Sequence, residues 1–303
     1  MRIGIIGMGT VGEAVAGIHD RTLLMYHDPK FEEWEHWTIE KIIKGCGWIY
    51  LCLPTPINET GECDTSILVN MFDQLKEFEG VVISRSTAPP RFYLNAIKDT
   101  GPFGKYKFRL VYMPVFINPE TALKDLTNPE LIVVGGNMKD VNYVAQFVIN
   151  SDMSYKHKVR IVKTDIGSAA AIKYYADSFL AHKVMWNTQY ADWCKSQGVN
   201  WANLTQGLAE DKRLGHTHYD LANDKGDVGY SEPHVLDNIN LILKSAEVNN
   251  VDLSILEMSS KLNQKLKQAQ DEQRELEAQT RLNTKRRRED RIERASERKS
   301  RRR

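Results

Sequence analysis

The sequence predicts an α/β protein with a mostly parallel sheet, followed by an all-α helical domain and a tail that is helical or disordered and basic at its end. Three observations predict this. Short apolar runs alternate with helical stretches through the first half of the chain, which is the spacing of βαβ units. After about residue 165 apolar positions recur at steps of three and four with no strand alternation. All glycines and prolines lie at or before Pro233, so the last 70 residues hold neither helix breaker.

Arg2–Ile6 is a short apolar run closed by Gly7 and reads as a buried strand. A helix is predicted from Thr10 to Ile18, then a strand over Thr22–His27 ending at Asp28. Trp48–Leu53 is a third strand, cut off by Pro54-Thr55-Pro56, and Gly80–Ser84 a fourth, stopped by Ala88-Pro89-Pro90. Phe108–Met113 and Leu131–Val134 are the fifth and sixth, stopped by Pro114 and by Gly135-Gly136. Ser66–Phe78 and Arg91–Lys98 read as helices between them. From Ile166 to Gln197 the pattern is helical, and Leu236–Leu243 and Leu253–Leu266 continue it. The expected organisation is a sheet domain over residues 1–160, a helical domain over 161–265 and a charged tail over 266–303.

The composition fits a folded globular chain: 303 residues, 42% hydrophobic and 27% charged. It excludes a wholly disordered chain, a collagen-like repeat and a small disulfide scaffold. Cys46, Cys52, Cys63 and Cys194 read as free thiols in a reducing compartment. The apolar, glycine-rich start lacks a cleavage site, and no run reaches the roughly 18 apolar residues of a membrane span. A cytoplasmic location without membrane contact is therefore expected. Net charge is +1, but residues 281–303 carry twelve Arg or Lys against four acids, a local +8, which leaves −7 on the other 280 residues.

Gly7-Met8-Gly9-Thr10-Val11-Gly12 has the form G-x-G-x-x-G where a strand ends and a helix begins, which is the context that motif requires. Gly7 allows the tight turn, Gly9 lets a pyrophosphate approach the backbone, and Gly12 permits close helix–strand packing. The helix start, with Thr10 and Val11, offers N–H groups to phosphate. Asp28 ends the second strand, where a carboxylate bonds ribose hydroxyls and repels a 2′-phosphate. The expected cofactor is NAD in a Rossmann-like domain, with Lys30 close enough to blur the choice against NADP.

Beyond this turn the chain resembles the UDP-glucose/GDP-mannose dehydrogenase family. Leu51-Cys52-Leu53-Pro54-Thr55-Pro56 is similar to the family's V-C-V-P-T-P, and Ser86-Thr87-Ala88-Pro89-Pro90 to its S-T-V-P-P. Asn128–Gly136 resembles N-P-D-R-I-V-I-G-G, Ile172–Ala181 resembles I-K-Y-A-N-N-A-F-L-A, and Asp211–Gly215 resembles D-x-R-I-G. Together these cover about residues 1–265. The resemblance implies Pro54, Thr55, Ser86 and Thr87 at the cofactor, and Phe116, Lys173 and Arg213 at a nucleotide-sugar substrate. It also implies oxidation of a C6 hydroxymethyl to a carboxylate with two NAD, by way of a thioester on a cysteine.

That cysteine belongs to G-F-G-G-S-C-F-P-K-D. Here the segment is Gly229-Tyr230-Ser231-Glu232-Pro233-His234-Val235-Leu236-Asp237-Asn238, with His234 at the cysteine's place, Asp237 at the lysine's and Asn238 at the aspartate's. Asp177 replaces an asparagine. In Pro114–Ala122, Val115 and Pro119 replace both glutamates of P-E-F-L-x-E-G-T-A, and Glu120 stands one position away. The resemblance leaves Thr87, Lys173 and Asp177, with His234 in the nucleophile's place, as the catalytic set. Lys173 is a stabiliser of an alkoxide or a base; its alternative is an ion pair with Asp177, four residues on. His234 is a general base or a loop histidine without chemistry. His216 and His218 lack further ligands at zinc-like spacing, so no metal is expected. Cys194 is expected to be a small buried residue.

The resemblance further implies a third, nucleotide-binding domain, which is expected to be absent, and a homodimer built on residues 166–200 and 236–265. The expected function is an NAD-dependent oxidoreductase acting on a CH–OH group and impaired for the full four-electron oxidation. Its rival is a non-catalytic NAD- or nucleotide-sugar-binding dimeric scaffold. Residues 281–303 are a solvated helix or a polyanion-binding arm.

Overall fold

The computed structural model describes residues 2–30, 37–118, 120–150, 159–223 and 226–300, with 149–150 and 287–300 as backbone alone. It forms two compact units, residues 1–176 and 177–303. Among the described residues no helix is long and apolar enough to cross a membrane.

The first unit alternates strand and helix: β1 (Arg2–Ile6), α1 (Thr10–Gly17), β2 (Leu24–His27), α2 (Ile39–Gly45), β3 (Cys46–Leu51), α3 (Ser66–Gln74) and β4 (Val81–Ser84). It continues through α4 (Pro90–Ala96), β5 (Arg109–Tyr112), α5 (Ala122–Thr127), β6 (Leu131–Gly136), α6 (Met138–Asn150), β7 (Arg160–Thr164) and the start of α7 (Ile166–Ser196). The seven strands lie in the order β2-β1-β3-β4-β5-β6-β7. All neighbours are parallel except β5 and β6, which meet antiparallel at Val111↔Gly136 and Tyr112↔Gly135.

The apolar runs are continuous because both sheet faces are covered. Successive residues feed opposite layers: on β3, Ile49 and Leu51 pack with α2, α3, α4 and the start of α7, whereas Trp48 and Tyr50 pack with α1, α5 and α6. Each fully buried residue of this kind contributes about 2 kcal/mol. The prolines that stop β4 also start a helix, since Pro90 occupies the first turn of α4, where its missing N–H costs nothing.

Strand β2 begins two residues later than its apolar run. Asp20 accepts from Thr22 N at 3.0 Å and winds Arg21–Leu23 into a 3₁₀ turn. Strand β3 ends before Cys52; beyond it Leu53 N donates to Ser86 Oγ at 2.9 Å, so the chain turns to its neighbour's loop.

The second unit holds the rest of α7, α8 (Trp201–Glu210), α9 (Pro233–Val248) and α10 (Ser254–Ser300). Its small core joins Ala181, Met185, Tyr230 and Ile239. Without Gly or Pro, α10 runs for 47 residues. Gln270 Nε2 donates to Gly226 O at 2.7 Å, and Arg274 Nη2 meets Asp227 Oδ1 at 2.8 Å. Leu276 and Leu282 beyond them are exposed.

Candidate dinucleotide and substrate site

The chain order of the sheet reverses beside β1, with β2 on one side and β3 on the other. Ligands of open α/β sheets bind at the carboxyl ends of the strands at such a switch point. The Gly7–Gly12 turn leaves β1 there. Gly7 has φ +92°, and a Cβ on it would lie 2.4 Å from the Cys52 carbonyl oxygen. A Cβ on Gly12 would lie 1.9 Å from Gly7 O. Both therefore close the turn on its protein side. A Cβ on Gly9 would meet nothing within 4 Å, and Gly9 and Thr10 are exposed. The turn is packed beneath and open above, over first-turn N–H groups that have no acceptor within the helix. It fits a pyrophosphate.

Asp28 follows β2 and is buried. Its Oδ2 accepts from Met8 N at 2.7 Å and its Oδ1 from Lys30 N at 2.9 Å. The carboxylate thus braces the glycine turn, and each oxygen keeps a lone pair for a ribose hydroxyl. Lys30 reaches Asp28 through its backbone N–H.

At the ends of β3 and β4 two loops are fastened together. Thr55 Oγ1 donates to Thr87 O at 2.6 Å, and Ser86 Oγ accepts from Leu53 N. Tyr93, fully buried on α4, donates to Ser86 O at 2.6 Å and shares a bond with Ser84 Oγ at 2.7 Å. Thr55 and Ser86, both expected at the cofactor, spend these hydroxyls on holding the corner. The Thr87 hydroxyl has no hydrogen-bond partner among the described residues. Pro54 is exposed beside it. Tyr93 was not legible as a site residue; an aromatic one turn after Pro-Pro carries no signal of its own. Arg85, just before Ser86, is also buried. Burial first, and then its charge, lower His19 to about 4.

Lys173 is 6% exposed, and its Nζ lies 5.7 Å from the centroid of the Phe116 ring. This is cation–π range, and it places two of the three expected substrate residues, Phe116 and Lys173, together in the first unit. Val115 is buried in the core layer of α1, α5 and α6, so the position where the family motif has a glutamate is apolar packing here. Glu120 is exposed before α5. Pro119 lies outside the described residues.

None of the thiols is poised as a nucleophile. Burial pushes Cys52 up to about 12 and Cys63 and Cys46 up to about 11, and Cys194 is fully buried. A thiol in that range is almost wholly protonated near neutrality.

The second unit carries Asp177, Arg213 and His234. Asp177, on α7, accepts from Asn238 Nδ2 on α9 at 2.7 Å, and both residues are buried. His234 is half-buried in the first turn of α9, just after Pro233. Arg213 is exposed and forks onto Asp211, with Nε 2.9 Å from Oδ1. This pairing raises Arg213 further and lowers Asp211. His218 has φ +66°, and its carbonyl accepts from Asn187 Nδ2 at 2.7 Å. Asn263 on α10 escaped sequence reading. It is 2% exposed and holds Tyr230 at two points, accepting from N at 3.1 Å and donating to O at 3.0 Å. Its one sequence signal is an amide within an apolar helical stretch.

The reversed sheet order and the open glycine turn define an α/β fold of the Rossmann type. Residues 31–150 match the NAD-binding domain model of the UDP-glucose/GDP-mannose dehydrogenase family. The chain is 27% identical over 221 residues to a UDP-glucose 6-dehydrogenase of Rickettsia bellii, covering 71% of this chain and 48% of that protein. It is 27% identical over 182 residues to UDP-glucose 6-dehydrogenase TuaD of Bacillus subtilis, covering 58% of this chain and 38% of that protein. It therefore spans about half or less of the length of these relatives. A UDP-glucose dehydrogenase from Pyrobaculum islandicum shares the fold with a TM-score of 0.70 at 16% identity, over 87% of this chain and 68% of that one. Residues 31–150 are thus similar to the NAD-binding domain of the UDP-glucose/GDP-mannose dehydrogenase family.

Proposed function

We propose that the protein binds NAD at the Gly7–Gly12 turn and carries out a two-electron alcohol–aldehyde step on a nucleotide sugar, without completing a four-electron oxidation. The observation that carries the NAD reading is the turn itself, packed under Gly7 and Gly12 and open over Gly9. Asp28 and Thr87 flank it as partners for ribose and nicotinamide. When bound, NAD supplies the hydride acceptor. The chain's own task is to hold the alcohol and carry its charge. The buried ammonium of Lys173 stabilises an alkoxide better than an exposed one, because little water competes for it. The Phe116 ring face lies toward that ammonium. In the second unit, His234 is proposed as a proton acceptor, with Asp177 and Arg213 as the further residues that the family resemblance implies. Incubation with NAD and a panel of nucleotide sugars tests this: NADH is expected with at least one sugar.

A second reading, a dimeric scaffold that binds NAD or a nucleotide sugar without turnover, draws on Val115 and His234. A core valine and a histidine stand where the family motifs carry a carboxylate and a thiol. Binding without NADH formation across the panel would favour it.

We further propose a homodimer through the helical unit. Trp186 and Trp193 on α7 are 59% and 53% exposed, and Tyr190 between them has ring centroids 6.1 and 5.1 Å away. Val248, Val251, Ile255 and Met258 add exposed apolar surface around the α9–α10 junction. Apolar surface on this scale marks an interface. Light scattering should return twice the chain mass, and Trp186→Glu with Trp193→Glu should return it to one.

The basic end of α10 is proposed to be a polyanion-binding arm, dispensable for the cofactor. Ending the chain after Leu276 keeps the contacts of Gln270 and Arg274. That variant should bind NAD unchanged. The full chain should bind duplex DNA or heparin with an affinity that falls steeply with salt, since each neutralised charge releases counterions.

A further inference from the structure

In the sequence, Asp177 and Asn238 look like two separate departures from the family motifs, 61 residues apart. In the fold they are partners: Asn238 Nδ2 lies 2.7 Å from Asp177 Oδ2, with the two residues 5% and 8% exposed. The motifs set out above have asparagine at the first position and aspartate at the second. We propose that the two changes are one reciprocal exchange, which moves a buried carboxylate from α9 to α7 while keeping the hydrogen bond, and that the pair positions His234. This rests on the family reading for the motif positions and on the geometry for everything else.

Either change alone is costly. Asp at both positions sets two carboxylates within bonding distance in a buried site, where like charges disfavour joint ionisation. Asn at both positions exchanges a charge-assisted bond for a neutral one of about half its strength. Only the concerted change retains one charge, one amide and one bond. The chain carries that combination.

The link to His234 is local. His234 precedes Asn238 by four residues on α9, so the two share a helix face one turn apart. The segment that brings His234 in is held at both ends. Gly229 has φ +72°, and a Cβ there would strike Asn263 Oδ1 at 2.3 Å. Asn263 then grips Tyr230 N and O from α10. At the other end Asn238 fastens the first turns of α9 to α7. His234 sits between these two anchors, and loosening the Asp177–Asn238 bond frees the turn that carries it.

The test is a double-mutant cycle on the full chain: Asp177→Asn, Asn238→Asp and the two together. It is read by thermal melting and by the His234 ring resonance in NMR, assigned with His234→Gln. Asn238→Asp should lower the melting temperature by roughly 10 °C and Asp177→Asn by roughly 4 °C, and each should shift the His234 resonance. The double variant should recover to within roughly 2 °C and return the resonance to its original position. If Asn238→Asp does not fold, Asp177→Asn against the double variant still decides the matter, because recovery by a second substitution is required. A double variant no better than the sum of its parts overturns the exchange, and a His234 resonance unmoved in the single variants overturns the positioning role. Neither NAD nor a sugar is present, so the outcome is independent of whether the protein turns over a substrate.

Discussion

Gly9→Val should reduce NAD affinity by roughly a hundredfold or more while leaving the melting temperature within about 1 °C of the parent. The reason is the asymmetry of the turn. A Cβ on Gly9 points into open space in the protein alone, so the folded state without ligand accommodates it. The same space is where a pyrophosphate must meet the helix N–H groups, and branched carbons there keep it away. Gly12→Ala should behave in the opposite way. Its Cβ falls 1.9 Å from Gly7 O, a backbone atom that cannot swing aside. The helix start must shift, at a cost of about 3 kcal/mol or more, and stability is lost together with binding. Calorimetric titration with NAD, paired with thermal melting of both variants, separates the two effects. A Gly9→Val protein that binds NAD like the parent would remove the cofactor from this turn.

Restoring the thiol alone should not restore acid formation. His234→Cys is expected to give no nucleotide-sugar carboxylate, because the thioester route also needs water activated by a carboxylate, and groups that act as a unit fail together. The missing glutamate cannot simply be put back. Val115 is packed in the core with the helices α1 and α5, and Val115→Glu buries an unpaired charge there. That should cost several kcal/mol and lower the melting temperature by roughly 10 °C. The combined variant is therefore expected to be less stable and still without acid product. Mass spectrometry of the products, with melting curves of each variant, checks both halves.

The sheet was largely legible because its strands are buried on both faces and end at Gly or Pro. Six of its strands appear in the sequence as apolar runs. Strand β7 does not: Arg160 and Lys163 break its apolar run, and among the described residues it pairs with β6 alone, at the sheet edge. Helices α2, α5, α6 and α8 went unread, α2 and α5 because they have only seven and six residues. The 3₁₀ turn before β2 was hidden because a single Asp20 side chain overrides an apolar, β-prone run.

The glycine turn and Asp28 were legible because their spacing is local. The roles within the loop corner were not. Thr55, Ser86 and Tyr93 act through bonds to residues on neighbouring elements, and sequence distance says nothing of them. The same holds for Asn263 on Tyr230 and for Asp177 with Asn238. Their substitutions read as losses until the fold places Asp177 and Asn238 at one bond.

The measurement that bears most directly on the whole account is the number of NADH formed per nucleotide sugar consumed by the unmodified protein, with the sugar product identified by mass spectrometry. One NADH per sugar and an aldehyde are expected, with aldehyde reduction in the reverse direction. Two NADH per sugar together with a nucleotide-sugar carboxylate would contradict that, and would mean that the thiol and the carboxylate are supplied by residues or by a partner other than those identified at this site.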